Sequence, residues 1–426
     1  MTNNYQSILR YWVWLSLALS AGSSSGEKLL SHFGTDPIAI YQATEEEYEA
    51  LELSGAAKKN LSNKDLSQAD KILAYCEAQN VFVLAPGLRG YPERLLRISR
   101  MPLVLYCKGR LPDIDREACI AMVGTRRMTA YGKRMAYEIA YDIARAGGIV
   151  VSGLALGVDA VAHRGCLDAG GFTIAVLGCG IDVTYPKENF ELLEEIERKG
   201  LIVTEYPPGT RPFGANFPTR NRIISGLCLG SVVIEADNTS GAMITADYAK
   251  KQNRDLFALP GMVGEQNSEG TNRLIREGAI PVTEAKDILS EYELLYPTKL
   301  HTEDIPIYRP AIRSDAPRKQ PRPRLKVAQA PAAPVWQPQQ TENERENMVP
   351  QKAESQVTNE ITLPKELDGV HADIYRTIAT LGQPVQDEII SHSGATASNA
   401  MVALTVLEIK GYISSLPGGR YTINKS

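Results

Sequence analysis

The sequence predicts a doubly wound α/β domain, and three observations support this fold class. From Cys119 to Leu259, short apolar segments rich in Val and Ile alternate with amphipathic segments of ten or more residues. Such alternation is typical of parallel strands with helices on both faces of the sheet. The composition, with 43% hydrophobic and 23% charged residues, is that of an ordinary globular chain. At 426 residues the chain is long enough for two or three domains.

Six apolar segments are predicted as the parallel strands, each followed by a turn and a helix. They are residues 120–123, 149–151, 173–177, 201–204, 231–234 and 255–259. Residues 81–108 are expected to add a flanking strand–helix–strand unit to the same sheet. We therefore predict one continuous α/β domain over residues 75–295.

Residues 1–70 are predicted to form a small helical domain, like a SAM or helix-hairpin-helix module. The apolar stretch 11–21 is too short to span a bilayer, and a single basic residue precedes it. We predict that it forms a buried first helix rather than a secretory signal. The turn at 21–26 lacks the apolar residue that DNA-binding hairpins place between their glycines, so a packing role is favoured over a DNA-binding one.

Two further segments follow the α/β domain. Residues 296–360 are rich in proline and carry a basic run at 317–326, which predicts a disordered tether, with nucleic-acid binding as the alternative. Residues 361–426 predict helices followed by a hairpin with Pro417–Gly419 at its tip, an order typical of a winged helix. The presumed recognition helix carries no arginine, which favours contact with protein over contact with DNA.

Charge and cysteine content exclude several classes. The formal net charge is −4 and the pI about 5.9, so any nucleic-acid site must be a local patch. The six cysteines are scattered without a C-x-x-C pair, which favours reduced, buried thiols over disulfides or zinc. We expect a cytoplasmic protein without membrane association.

Cationic residues follow three of the predicted parallel strands. They are Arg126, Arg127, Lys187, Arg220 and Arg222. Because the carboxyl ends of parallel strands meet at one edge of the sheet, these side chains are expected to lie together there, where such folds bind phosphate. Asn221 stands between the last two, and Phe190 follows Lys187 by three residues. Cations beside an exposed aromatic ring suit single-stranded nucleic acid, in which bases stack and phosphates need neutralising.

Other chemistry is less well supported. Gly178–Gly180 begins like a dinucleotide fingerprint, but Val183 stands where the third glycine is required. Asp159 and His163 lie four residues apart on one helix face. This spacing allows a metal site or a general-base pair, but such a pair more often forms a hydrogen bond that anchors the helix. Carboxylates at the strand ends, such as Glu205 and Glu235, more often cap backbone donors. We predict no catalytic residue, no metal and no cofactor.

A series of motifs in residues 80–290 resembles the DNA-processing protein A family, also called Smf. The matching segments are VGTR at 123–126, SGLALGVDAVAH at 152–163, TIAVLG at 173–178, YPKEN at 185–189, FPTRNRII at 217–224, SG at 240–241 with Thr245, LPG at 259–261, and GTNRLI at 270–275 with GA at 278–279. They occur in the order and at the spacing of the family, so the resemblance is specific.

The resemblance implies an extended Rossmann-like domain that binds single-stranded DNA without cutting it and forms a homodimer. It also implies delivery of the strand to the RecA recombinase during natural transformation. The family's DNA contacts map onto Arg126, Lys187, Phe190, Asn221 and Arg222. Their position in the sequence adds Arg127 and Arg220 to that set.

A hydrolase that removes the base from a nucleoside monophosphate is the competing hypothesis. The lysine-decarboxylase-like group has a related sheet and a P-G-G-x-G-T-x-x-E motif near a late strand. This chain has Pro260–Gly264 and a separate Gly270–Thr271, without the closing glutamate at the motif's spacing. The enzyme therefore stays the alternative to a non-catalytic DNA-binding protein.

Overall fold

The computed structural model of the chain describes residues 2–305, 369–393, 400, 403–404, 406–408, 412–416 and 420–424. These residues fall into two compact units, one within Met1–Pro338 and one within Gln339–Ser426. The predicted tether lies mostly outside the described residues. Residues 296–305 are described, however, and Leu300 is buried against the sheet domain.

A nine-stranded sheet forms the centre of the first unit, in the order β1-β2-β6-β5-β4-β3-β7-β8-β9. The strands are β1 Phe82–Leu84, β2 Leu105–Gly109, β3 Cys119–Val123, β4 Ile149–Ser152, β5 Thr173–Leu177, β6 Leu201–Thr204, β7 Gly230–Val233, β8 Asp255–Ala258 and β9 Ile280–Pro281. Strands β3 to β9 pair in parallel, whereas β2 pairs antiparallel with both β1 and β6. The sequence prediction of a doubly wound parallel sheet with a flanking unit is confirmed.

Helices cover both faces of this sheet. They are α1 Thr2–Ala18, α2 Ser24–Phe33, α3 Pro37–Gln42, α4 Glu45–Ala50, α5 Gly55–Ser62, α6 Ser67–Ala78, α7 Glu93–Leu96, α8 Ala130–Arg145, α9 Val158–Asp168, α10 Phe190–Lys199, α11 Asn216–Gly226, α12 Gly241–Lys251, α13 Gln266–Arg276 and α14 Lys286–Leu289. Successive residues of β3 face opposite sides: Ile120 and Met122 pack against α8 and α9, and Ala121 and Val123 against α11 and α12. All five residues of β3 are buried, as expected for a central parallel strand.

The first helix is buried, as the sequence predicts. Trp12, Val13 and Leu15 in α1 are fully buried and share one core with residues of α10 and β6. The turn between α1 and α2 packs against α11: a Cβ at Gly22 would lie 2.8 Å from Thr219 Cγ2. The helical region is therefore built onto the sheet, in keeping with the packing role.

The second unit contains α15 Gly369–Leu381, α16 Gln386–Ser393, β10 Ile413–Leu416 and β11 Arg420–Ile423. Strands β10 and β11 form the predicted hairpin, whose tip at 417–419 lies outside the described residues. Ile374, Ile378, Leu404 and Leu407 form its core. The prediction of a winged helix is confirmed by a family comparison given below.

All six cysteines are buried and unpaired, as predicted. Burial raises the pKa of Cys76 and Cys119 to about 12, so their thiols stay protonated at neutral pH. In the part of the chain that the structure describes, no helix has both the length and the apolar character needed to cross a membrane.

Candidate nucleic-acid interface

Three of the predicted cations are exposed at the carboxyl edge of the sheet. Arg126 and Arg127 lie on the turn after β3, and Lys187 lies in the 3-10 helix Lys187–Asn189 that precedes α10. No described residue forms an ion pair with any of the three. Unpaired cations on one edge are available to neutralise the phosphates of a ligand.

The turn that carries Arg126 is held by close backbone contacts. The Thr125 N–H donates to the Glu235 carbonyl at 2.7 Å, and the Thr125 carbonyl accepts from the Val158 N–H at 3.2 Å. Gly157, with φ +84°, lets α9 begin this close, because a Cβ there would lie 2.3 Å from the Thr125 oxygen. The backbone of Arg126 is therefore fixed before any ligand arrives.

A buried asparagine anchors the segment that carries Lys187 and Phe190. The Asn189 side chain donates to the Leu154 carbonyl at 2.8 Å and to the Ala155 carbonyl at 3.3 Å. This ties the segment after β5 to the turn after β4. Phe190 remains 50% exposed, and Lys187, three residues before it, is also exposed.

The Phe217 ring connects exposed and buried cations. The guanidinium carbons of Arg126 and Arg220 lie 5.8 Å and 5.9 Å from its centroid. The exposed Tyr185 ring lies 5.3 Å from the same ring. Gly178 makes room for it, since a Cβ there would approach the ring to 2.8 Å. Cation–π attraction thus helps to orient Arg126.

Arg220, which the sequence predicts to bind DNA, is buried and hydrogen-bonded within the protein. Its side chain is only 4% exposed, and its Nη1 donates to the Gly153 carbonyl at 2.8 Å and to the Val176 carbonyl. Burial lowers the pKa of Arg220, and the nearby Asp159 carboxylate opposes that shift. Arg220 therefore ties the ends of β4 and β5 to α11, and a DNA contact by this side chain stays a prediction.

Arg222, which the sequence predicts as a DNA contact, is buried in an ion pair, and its contact with DNA stays a prediction. It is 1% exposed, and its Nη2 donates to both Glu205 carboxylate oxygens, at 2.6 and 2.7 Å. Its Nε donates to the Arg100 carbonyl at 2.8 Å. The charge is therefore neutralised inside the protein by Glu205, which follows β6, and the Arg100 carbonyl ties α11 to the segment before β2.

Asn221 lies half-buried between these two arginines. Its Oδ1 accepts from Arg220 Nε at 3.2 Å, and its Nδ2 donates to the Gly241 carbonyl at 3.3 Å. Both polar atoms thus have partners within the protein. A DNA contact by Asn221 stays a prediction, as does contact by the four exposed residues Arg126, Arg127, Lys187 and Phe190.

The candidate acid–base groups have structural partners. Asp159 Oδ2 accepts from the Gly153 N–H at 3.1 Å, while His163 Nδ1 lies 2.7 Å from Thr173 Oγ1. Asp159 and His163 thus bond to different groups and not to each other, so each anchors its helix through its own partner. Burial lowers the pKa of His163 to about 3, so the imidazole is neutral at pH 7. Glu235 accepts from the Thr129 N–H at 2.8 Å and fills the amino end of α8.

Two further exposed residues lie at the carboxyl edge of the sheet and are not among those predicted from the sequence. Arg211 is exposed and Phe213 is 59% exposed, both in the loop between β6 and α11. The sequence does contain a pattern that could indicate them, since an aromatic residue follows a cation by two positions in a loop after a parallel strand. No periodic pattern covers that loop, so the sequence alone does not predict the pair as binding residues.

Comparisons with known proteins agree with this architecture. The family model described as DNA recombination-mediator protein A matches residues 82–293, and the DprA winged helix domain matches residues 362–419. The protein Smf of Synechocystis is 38% identical over 305 residues, which cover 69% of this chain and 73% of that protein. The DNA processing protein DprA of Streptococcus pneumoniae is 42% identical over 203 residues, covering 48% of this chain and 71% of that protein.

A solved structure shares the fold. The X-ray structure of DNA processing protein A from S. pneumoniae superimposes with a TM-score of 0.58 and 33% identity, covering 66% of this chain and 97% of that one. Sheet topology, winged helix and sequence together define a Rossmann-like protein with an appended winged-helix domain. The chain belongs to the DNA recombination-mediator protein A family.

Proposed function

We propose that this protein binds single-stranded DNA at the carboxyl edge of its sheet, without cutting it. The observation that carries the proposal is the set of exposed residues Arg126, Arg127, Lys187 and Phe190 at one edge of the sheet, whose cations form no ion pair with any described residue. Cations for phosphates and a ring for bases are the two components of single-strand recognition. Relatives named DNA processing protein DprA support a DNA-processing role in transformation.

A non-catalytic role is supported by how the potential acid–base groups are used. Asp159, His163 and Glu235 each bond to a neighbouring group of the protein and are buried. Glu205 is neutralised by Arg222. General acid–base catalysis needs such a group within hydrogen-bond reach of a substrate, and these four face inward.

We further propose that the protein protects the bound strand and then delivers it to the RecA recombinase. It would do so as a homodimer formed through the Rossmann-like domain. A strand held along an open edge stays accessible to a second protein. Because a recombinase acts where the chromosome is, the proposed activity is cytoplasmic. Recombinase loading onto strands coated with single-strand-binding protein, with and without this protein, tests the delivery step.

Fluorescence anisotropy with labelled oligonucleotides tests the binding site. We expect salt-sensitive binding that Arg126→Ala and Lys187→Ala each weaken, and the slope of log K against log salt should fall by about 0.7 for each lost phosphate contact. The matched control is Arg116→Ala, which removes an exposed cation just before β3, at the opposite edge of the sheet. Equal loss of affinity in the control, or none in the two edge variants, would show that the site is misplaced.

A further inference from the structure

The loop of residues 205–215 extends the carboxyl edge beyond Lys187. It connects β6 to α11, and β6 is the neighbour of β5 in the sheet. Its exposed side chains include Phe213 and Arg211, and Arg211 forms no ion pair with a described residue. A second cation and a second ring therefore follow β6, the strand that pairs with β5, while Lys187 and Phe190 follow β5 itself.

The base of this loop is fixed to the segment after β5. The Gly180 N–H donates to the Thr210 carbonyl at 2.9 Å, and the Gly209 N–H donates to Asp182 Oδ1 at 2.8 Å. A Cβ at Gly180 would lie 2.9 Å from the Pro207 carbonyl oxygen, so the two segments are in direct contact. These contacts hold the base of the loop against the segment that leads to Lys187.

The backbone on either side of Phe213 is also held. The Phe213 N–H donates to the Arg211 carbonyl at 3.1 Å, and the Phe213 carbonyl accepts from the Asn216 N–H at 3.0 Å. The Asn216 side chain in turn donates to the Gly178 carbonyl at 3.0 Å. A ring kept in solvent by a fixed backbone loses little conformational entropy when a ligand binds it.

We propose that Phe213 and Arg211 form a second stacking and phosphate site for the same DNA strand, a proposal that rests on the function proposed above. Neighbouring strands lie about 4.8 Å apart, and a stacked strand advances about 3.4 Å per nucleotide. The step from the β5 loop to the β6 loop therefore takes about one to two nucleotides. One ring and one cation offer far less area than the roughly 800 Å² that a protein partner needs on each side.

The affinity of the full-length protein for oligothymidylates of increasing length tests this site. Strands that fill only the Arg126–Lys187 segment should bind wild type and Phe213→Ala equally. Lengthening the strand should raise the affinity of wild type alone, by about 5- to 150-fold, which corresponds to one stacked base. Phe213→Leu, which keeps apolar volume but no ring, should behave as Phe213→Ala, and Phe213→Trp as wild type.

Two further measurements distinguish a failure of this site from a failure of the proposed function. In a Trp336→Phe background, the emission of F213W should be quenched by long strands, because the other two tryptophans, Trp12 and Trp14, are buried away from solvent. Arg211→Ala should lower the salt slope by about 0.7 for long strands only. If Lys187→Ala weakens binding while Phe213→Ala matches wild type at every length, the second site is refuted and the function stands. If wild type binds no strand, both fail.

Discussion

Replacement of Glu205 by glutamine tests the structural role assigned to Arg222. The two side chains are 6% and 1% exposed and their charged atoms lie 2.6 Å apart, so neither charge is stabilised by water. Neutralising the carboxylate leaves the Arg222 guanidinium as an uncompensated buried charge. Arg222 keeps the Arg100 and Thr219 carbonyls as acceptors, but a carbonyl does not neutralise it.

The expected loss in the free energy of unfolding is about 3–5 kcal/mol, the cost of breaking a buried pair by removing one partner. For a domain of this size, each kcal/mol lowers the melting temperature by about 2–4 °C. Glu205→Gln should therefore melt roughly 6–20 °C below wild type in a calorimetric or circular-dichroism scan. The double variant Glu205→Leu with Arg222→Met should recover most of this loss, because apolar pairs of similar volume pack without desolvation cost.

DNA binding by the double variant decides between the two roles of Arg222. A structural arginine predicts a folded double variant with wild-type affinity and salt slope for oligonucleotides. If the folded double variant instead loses affinity, with a slope lower by about 0.7, then Arg222 contacts phosphate and the structural assignment is refuted.

Three further predictions concern other described residues. The pKa of His163 is about 3, below its ordinary value of 6.5, so only the unfolded chain gains this proton between those pH values. Between pH 7 and pH 5, the free energy of unfolding of wild type should therefore fall by about 2 kcal/mol more than that of His163→Asn, as measured by urea titration. Lys64 lies 4.7 Å from the Tyr48 ring centroid and contacts two further rings, so Lys64→Ala should cost about 0.5–2 kcal/mol in thermal unfolding. Gly157→Ala should displace Arg126 and weaken oligonucleotide binding, whereas Gly170→Ala, with φ +78° and open space around it, should cost stability only.

The sequence was sufficient to predict the sheet and the exposed part of the edge. Strand alternation is a local signal, and parallel pairing alone brings Arg126 and Lys187 to one edge. The turn glycines next to them could also be selected locally, because close approach of two segments requires them.

The burial of Arg220 and Arg222 could not be predicted from the sequence. Both stand in α11, but what buries them comes from distant segments: Glu205 after β6, the Arg100 carbonyl and the turn at Gly22. No spacing in the sequence indicates such long-range pairing. Exposure likewise depends on tertiary contacts, which is why the sequence does not indicate that Phe213 is exposed.

A cross-linking map of the full-length protein on a short photoreactive DNA strand shows directly whether the strand lies along the carboxyl edge of the sheet. We expect cross-linked peptides that contain Arg126 or Arg127, Lys187 or Phe190, and, on longer strands, Phe213. Cross-links confined to the winged-helix unit, or to the opposite edge of the sheet around Arg116, would contradict it.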